Sequence, residues 1–314
     1  MYSVGVDIGG MSVKIGIVDN GNIIAKKVIK PNANPQTEFI KIIANTVSDL
    51  IVETKINKSE IAGVGVGCPG SVDYNDGIVL HSGNLNLKNL NIKQIMEEIT
   101  KLPCRVGNDA DLAALGEVKY GIAKGYSDVI MLTIGTGIGG GIIVNGKLYT
   151  GYRGMAGELG HISLFYNGIK CGCGRSGCFE QYASATALIK QTKQAMLIDK
   201  NSSMWNLVGG DIDKVNGITA FSEAKKGDKT AENVVSTFVS YLTEGIMNYC
   251  NIFRPQAIIV GGAISNEGSF LLDKIYDYLE KYEYGYPGTS KVEILTAKLK
   301  NDAGIIGASS LVFE

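Results

Sequence analysis

His161 and three cysteines share one short stretch of the chain, His161-Ile-Ser-Leu-Phe-Tyr-Asn-Gly-Ile-Lys-Cys171-Gly-Cys173-Gly-Arg-Ser-Gly-Cys178. One imidazole and three thiolates at this spacing, with glycines that let the backbone wrap, match a closed tetrahedral Cys3His zinc site. The chain holds only two histidines, His81 and His161, which adds weight to one of them standing beside the thiols. Protein ligands fill all four positions, so the expected ion is a structural Zn2+ that activates no water. Free reduced thiols are the plainer alternative, and a disulfide is disfavoured in a reducing compartment. Cys68, Cys104 and Cys250 have no such company and read as small buried hydrophobes.

Two acids flank the cluster, in Gly154-Met-Ala-Gly-Glu158-Leu-Gly-His161 and in Cys178-Phe-Glu180-Gln-Tyr-Ala-Ser. A metal-held loop would bring Glu158 and Glu180 together, and carboxylates on a rigid loop accept the hydroxyls of a polyol. Each acid alone suits an ordinary solvated surface equally well. A third segment, Pro103-Cys-Arg-Val-Gly-Asn108-Asp109-Ala-Asp111-Leu-Ala-Ala-Leu-Gly-Glu117, reads as a short strand running into a helix. Asn108 and Asp109 then fall at the strand's end, the edge of an α/β sheet where ligands sit. An ionised Asp109 there can take a hydroxyl proton while that oxygen attacks phosphorus. Either residue also makes a good helix N-cap, and the segment by itself leaves both roles open.

Two glycine turns look like copies of one unit. Val4-Gly-Val-Asp7-Ile-Gly9-Gly10-Met-Ser-Val-Lys14-Ile-Gly-Ile-Val18 is followed by Asn20-Gly21. Ile130-Met-Leu-Thr-Ile-Gly135-Thr136-Gly137-Ile-Gly-Gly-Gly-Ile-Ile-Val144 is followed by Asn145-Gly146. Each reads strand, glycine turn, strand, Asn-Gly turn, strand, and Asn-Gly between apolar runs is a strong hairpin signal. Glycines without side chains let backbone N–H groups approach phosphate oxygens. Asp7 suits a hydrated Mg2+ and Lys14 adds positive charge. A strand follows the first glycines, so this is neither a Walker A loop nor a dinucleotide fingerprint. A plain turn explains one such hairpin as well as an anion nest does. Two copies with a third turn at Gly261-Gly262 point to a nucleotide touched from both sides.

The elements that must position these residues alternate along the chain. Phe39, Ile43, Val47, Leu50 and Ile51 fall on one helical face, and Ile61 to Gly67 reads as a buried strand. Val234, Phe238, Leu242, Ile246, Tyr249 and Phe253 form a longer stripe that Pro255 stops. Ala257 to Val260 and Val292 to Leu299 read as strands, and Ala303 to Phe313 as a closing helix. The repeated hairpin predicts duplicated α/β lobes. The expected division is a lobe over residues 1–120 with the first hairpin and Asp109, and a second over 121–300. The second holds the other hairpin, the zinc loop and Gly261-Gly262, and the helix of 301–314 packs back on the first lobe.

Composition excludes several classes. At 314 residues the length favours about two domains. Hydrophobic residues make up 45% and charged residues 19%, ample for large cores and against disorder. With 30 basic and 31 acidic residues the formal charge is −1, so no positive field recruits nucleic acid or an anionic membrane. No run reaches the ~18 unbroken apolar residues of a spanning helix. The start has no basic leader ahead of an apolar run, so a soluble cytoplasmic protein is expected.

Together these residues resemble the ROK family of repressors, uncharacterised frames and sugar kinases, over almost the whole chain. The resemblance rests on Asp7-Ile-Gly-Gly, Gly67-Cys-Pro-Gly70 with Val72-Asp73, Asn108-Asp109, Ile134-Gly-Thr-Gly-Ile-Gly-Gly-Gly141, Gly157-Glu-Leu-Gly-His161, the Cys-x-Cys-Gly-x-x-Gly-Cys run and Val260-Gly-Gly. Within the family, Asn108 to Glu117 and Glu180-Gln-Tyr-Ala-Ser look most like bacterial glucokinases. The resemblance implies an actin-like, hexokinase-type pair of ribonuclease-H-like α/β lobes around a central cleft. It implies Asp109 as the base for a sugar's 6-hydroxyl. Gly70, Asn108, Glu158, His161 and Glu180 would serve the sugar, with His161 doubling as a zinc ligand. Asp7, Gly9, Gly10, Lys14, Gly135, Thr136, Gly137, Gly261 and Gly262 would line MgATP.

The expected activity is ATP-dependent phosphorylation of a hexose, glucose first, by a homodimer. An N-acetylmannosamine or fructose kinase is the alternative, with Ile78-Val-Leu-His-Ser82 leaning toward an amino sugar. A DNA-binding repressor is disfavoured, because the first hairpin begins at Tyr2 or Ser3 and leaves no room ahead of it; a non-catalytic sugar-binding relative is the remaining class. Two positions depart from the family. Met11 stands where a threonine is usual, so a hydroxyl contact to a terminal phosphate is missing. Asp111 replaces an asparagine and, if it faces the cleft, would raise the pKa of Asp109 by like-charge repulsion.

Overall fold

A computed structural model describes residues 1–31, 35–282 and 290–314. The first sheet is built from β1 (Tyr2–Ile8), β2 (Val13–Asp19) and β3 (Asn22–Ile29), followed by helix α1 (Gln36–Thr54) and β4 (Ile61–Cys68). A small meander of β5 (Ser71–Asp73), β6 (Ile78–Ser82) and β7 (Leu87–Asn91) leads into α2 (Ile92–Thr100), then β8 (Cys104–Asn108) and α3 (Asp109–Lys119). Strand order is β3-β2-β1-β4-β8, with β1, β4 and β8 parallel. Asn20 and Gly21 both take positive φ, the conformation that an Asn-Gly hairpin turn requires. The apolar face of α1 is buried through Phe39, Ile43, Val47, Leu50 and Ile51.

The chain continues through β9 (Val129–Ile134), β10 (Ile138–Val144) and β11 (Lys147–Leu148). A mostly helical stretch follows: α4 (Glu180–Ala183), α5 (Ala185–Ile198), α6 (Met204–Leu207), α7 (Thr219–Ala224) and α8 (Lys229–Phe253). Then come β12 (Ala257–Gly262), α9 (Ser269–Tyr282), β13 (Glu293–Thr296) and α10 (Ala303–Leu311). The second sheet has the order β11-β10-β9-β12-β13, and β12 runs parallel to β13. Asp228 caps α8 by accepting the Ala231 N–H. Arg254, at positive φ, ends the helix just before Pro255. Phe253 closes the predicted stripe but is 37% exposed; it lies in the last turn.

Two compact units divide the chain: Met1–Met131 with Gly141–Gly157 and Lys298–Glu314, and Leu132–Gly140 with Glu158–Ala297. The division expected near residue 120 falls inside the first unit, and the second hairpin's outgoing strand returns to it. Gly141 explains that return. A Cβ there would sit 2.6 Å from the Ala114 side chain and 2.9 Å from the Asp111 Cα, so only glycine lets β10 lie against α3.

Within the first unit α10 packs on α3, β1 and β4, and glycines set the separation. A Cβ on Gly5 would fall 1.9 Å from the Ile305 carbonyl oxygen, on Gly65 1.7 Å from that of Ala308, and on Gly307 1.6 Å from that of Leu112. Backbone cannot yield as a side-chain tip does. Gly65→Ala is therefore expected to cost about 3 kcal/mol or more, read as a lowered urea midpoint.

Candidate functional site

The parallel strands of the first sheet share one carboxyl edge. Asp7 pairs with Gly67 and Gly67 with Gly107, so the ends of β1, β4 and β8 lie level. At this edge the turn Gly9–Ser12 closes with the Gly9 N–H donating to the Ser12 carbonyl at 2.9 Å. Neither Gly9 nor Gly10 takes a positive φ, and a Cβ on Gly10 would meet nothing within 4 Å. No internal constraint of the fold demands glycine at position 10, which leaves bare backbone open to a ligand. Gly135 is alike: it is exposed, and its Cβ would meet nothing. Met11, at the tip of the first turn, is 93% exposed. Asp7 accepts from Lys14 Nζ at 3.0 Å, and Lys14 also donates to the Asn301 carbonyl at 3.2 Å.

The end of β8 turns into α3 through Asn108. Its side-chain oxygen accepts the N–H groups of Ala110 (2.8 Å) and Asp111 (3.3 Å), so Asn108 is the N-cap. Capping is settled on Asn108, and Asp109 occupies the first helical position, its Oδ1 accepting the Ala110 N–H at 3.0 Å. Asn108 Nδ2 donates to the Gly70 carbonyl at 3.1 Å. Gly70 has φ +104°, and a Cβ there would lie 2.2 Å from the His81 carbonyl, so its place against β6 requires glycine. Burial, and then the Asp109 carboxylate, pushes the Cys68 thiol far above its ordinary range. Cys68, Cys104 and Cys250 are all buried and in no disulfide.

Asp111 does not act as expected of a cleft carboxylate. It is 1% exposed inside the first unit, and its Oδ2 accepts the Tyr74 hydroxyl at 2.7 Å. The helical turn after the cap carries its side chain inward. Tyr74 is the residue that sequence reasoning missed. Its hydroxyl also accepts the Asn108 backbone N–H at 2.9 Å, and its ring fills the space left by Gly107 and Gly154. Burial and the Asp111 charge hold it as a neutral phenol. The neighbouring Asp73, 2% exposed, takes two hydrogen bonds from Arg153 at 2.8 and 3.0 Å.

That ion pair predicts a pH dependence. Burial opposes the Asp73 charge, but the Arg153 guanidinium and the Asn75 and Asp76 N–H groups outweigh it and hold the carboxyl below its usual value. A lowered folded pKa contributes stability above the unfolded value of about 3.9 and loses it as pH falls through the folded one. The stability gap between wild type and Arg153→Ala is therefore expected to narrow as pH drops below about 5, measured by denaturation at each pH.

In the second unit one ligand atom from each of His161, Cys171, Cys173 and Cys178 lies within 4.8 Å of the others. Cys171 Sγ stands 3.7 Å from His161 Nδ1, and the Cys173 and Cys178 sulfurs are 3.5 Å apart. Gly177, at φ +82°, has Phe165's carbonyl where a Cβ would be. Burial pushes Cys171 up to about 12 and raises Cys178, whereas the Arg175 N–H lowers Cys173. Buried thiols this costly to ionise suit a divalent cation, whose charge reverses the cost. Donor set and spacing both fit Zn2+. The His161 ring stands between the two expected acids. Its Nε2 is 3.9 Å from Glu158 and its Nδ1 3.7 Å from Glu180. Glu158 is largely exposed, while Glu180 is 18% exposed and accepts from the Cys171 thiol at 3.0 Å. Gly262 has φ +84° and packs on the Ile134 carbonyl, where a Cβ would come within 2.1 Å, so its own backbone demands glycine. Gly261 is buried at the end of β12 and Thr136 is exposed.

A family model described as ROK matches residues 3–314. The chain belongs to the ROK family. A glucokinase of Halalkalibacterium halodurans is 36% identical over 99% of this chain and 94% of that protein. A xylose repressor of Bacillus spizizenii is 32% identical over 100% of this chain and 77% of that one. The crystal structure of a ROK family glucokinase from Streptomyces griseus, in complex with glucose and AMPPNP, shares 34% identity and a TM-score of 0.82 over 99% of both chains. The architecture is thus the two-lobed actin/hexokinase-like fold of ROK sugar kinases. Among the described residues, no helix is long and apolar enough to cross a membrane.

Proposed function

We propose that this ROK protein transfers the γ-phosphoryl group of ATP to the 6-hydroxyl of a hexose, glucose first. The observation that carries the reading is Asp109, at the start of α3 on the same sheet edge as the Gly9–Ser12 turn. Asp109 accepts the hydroxyl proton as the sugar oxygen bonds to phosphorus and the bridge to ADP breaks. Asn108, held by its cap and by Gly70, keeps an amide N–H for the sugar. Glu158, His161 and Glu180 take other hydroxyls, His161 through the nitrogen that faces away from the thiols. Backbone N–H groups of the bare glycine turns meet the phosphates, with Gly261 and Gly262 toward the nucleoside. Lys14 adds charge and Asp7 orients a hydrated ion, one carboxylate beside phosphates being an ordinary donor set for Mg2+. When bound, Mg2+ neutralises developing phosphate charge, and Zn2+ on His161, Cys171, Cys173 and Cys178 fixes the loop.

Six cysteines in no disulfide suit a reducing cytoplasm, and the homodimer is carried by the resemblance alone. The xylose repressor relative favours one second reading, a sugar-responsive regulator without turnover. A coupled ADP-release assay with glucose, fructose, N-acetylmannosamine and xylose separates them. Turnover highest on glucose is expected; none on any sugar overturns the kinase reading.

A further inference from the structure

Glu180 touches more than the metal cluster. Its Oε1 faces Cys171 and His161, as described, while its Oε2 reaches the turn between β9 and β10. The Ile138 N–H approaches Oε2 at 3.4 Å, and a Cβ on Gly137 would stand 2.5 Å from the same oxygen. The turn is gripped elsewhere from the same side. The Gly135 carbonyl accepts the Ala185 N–H at 2.9 Å, five residues beyond Glu180. Gly160, next to ligand His161, packs on the Ile138 carbonyl so closely that a Cβ would fall 2.1 Å away, and Leu159 fills the space over Gly140. Tyr249 fixes this segment by donating to the Leu159 carbonyl at 2.5 Å. Every tether of Gly135–Ile138 named here therefore starts within two residues of a metal ligand or in the Glu180–Ala185 run after Cys178.

Resting on the kinase reading above, we propose that Glu180 is a positioning residue for the Gly135–Gly137 turn. Through it the cation at the Cys3His cluster sets affinity for the nucleotide's phosphates, independently of any sugar. Glu180 follows Cys178 by two residues, so a cation that fixes Cys178 also fixes the Glu180 backbone, and its Oε2 then holds the Ile138 N–H in place before the ligand arrives, which lowers the ordering cost of binding.

The test measures binding of Mg-AMPPNP by calorimetry with no sugar present, alongside zinc content and thermal unfolding for each variant. Glu180→Ala with zinc retained is expected to weaken nucleotide binding by about 10-fold, within the usual range of couplings between sites. Glu180→Gln is expected to recover most of that loss, since its amide oxygen can still accept the Ile138 N–H. Hydrogen exchange at residues 135–138 should rise in the alanine variant and in chelated wild type. Unchanged nucleotide affinity in Glu180→Ala, with glucose binding alone reduced, would overturn the proposal and leave the kinase reading standing. Wild type that binds no nucleotide would sink both.

Discussion

Asp109→Asn is expected to lower kcat on glucose by about 10²–10⁴-fold, the usual worth of a positioned base, while unfolding temperature and glucose affinity stay near wild type. The local structure makes the substitution clean. Asn108 alone carries the cap, so its bonds to Ala110 and Asp111 survive. Asparagine at position 109 still offers an oxygen to the Ala110 N–H that Oδ1 now accepts. What disappears is the group that can take a proton. Much of phosphoryl transfer is positioning and charge neutralisation, so residual turnover above the uncatalysed rate is expected from the remaining contacts. A folded variant that turns over at the wild-type rate removes Asp109 from the chemistry, whatever sugar the protein prefers.

Patterns that local physics dictates were legible from the residues alone. Asn-Gly turns, the buried face of α1, the stop at Pro255 and the Cys3His spacing each follow from one short segment, and each stands in the structure. The Asn108-Asp109 pair shows the limit. Which of the two caps the helix could not be read until β8 and α3 placed the Asn108 oxygen on the Ala110 and Asp111 N–H groups. The direction of Asp111 stayed open because nothing nearby in sequence marks its partner, a tyrosine 37 positions earlier. Tyr74 itself carries no motif; its role comes from Gly107 and Gly154 making room for its ring. Glycines were similarly ambiguous. Gly10 and Gly135 are unconstrained by the fold, while Gly262 is demanded by its own φ and by Ile134. Close approach across a fold leaves the same letter in the sequence as a ligand site does.

The loop that carries Cys171 to Cys178 is held by turn hydrogen bonds, such as the Cys171 N–H on the Arg175 carbonyl at 2.9 Å and the Gly177 N–H on the Ile169 carbonyl at 2.8 Å, more than by an apolar core. Two isolated bridges, Ser163 with Cys178 and Lys170 with Ser176, are its only strand pairing among the described residues. Phe165, Tyr166 and Ile169 are exposed to 43%, 92% and 40%. A segment with so little apolar burial gains much of its order from a metal cross-link. Cys178→Ser, at a fully buried cysteine of the cluster, is therefore expected to abolish near-stoichiometric zinc and to lower kcat/KM by about 10²-fold or more, since small displacements of the groups proposed to hold the sugar would cost that much. Chelation of wild type should produce the same loss, reversed by added zinc, whereas the variant should not recover. The causal chain is short. Without the cation nothing ties His161, whose ring stands between Glu158 and Glu180, to the three cysteines, and the segment that runs from Cys178 into Glu180 is no longer anchored at Cys178. Metal analysis, activity and thermal unfolding on one preparation decide it. Full activity in zinc-free, folded protein would show that the loop is ordered by its own contacts.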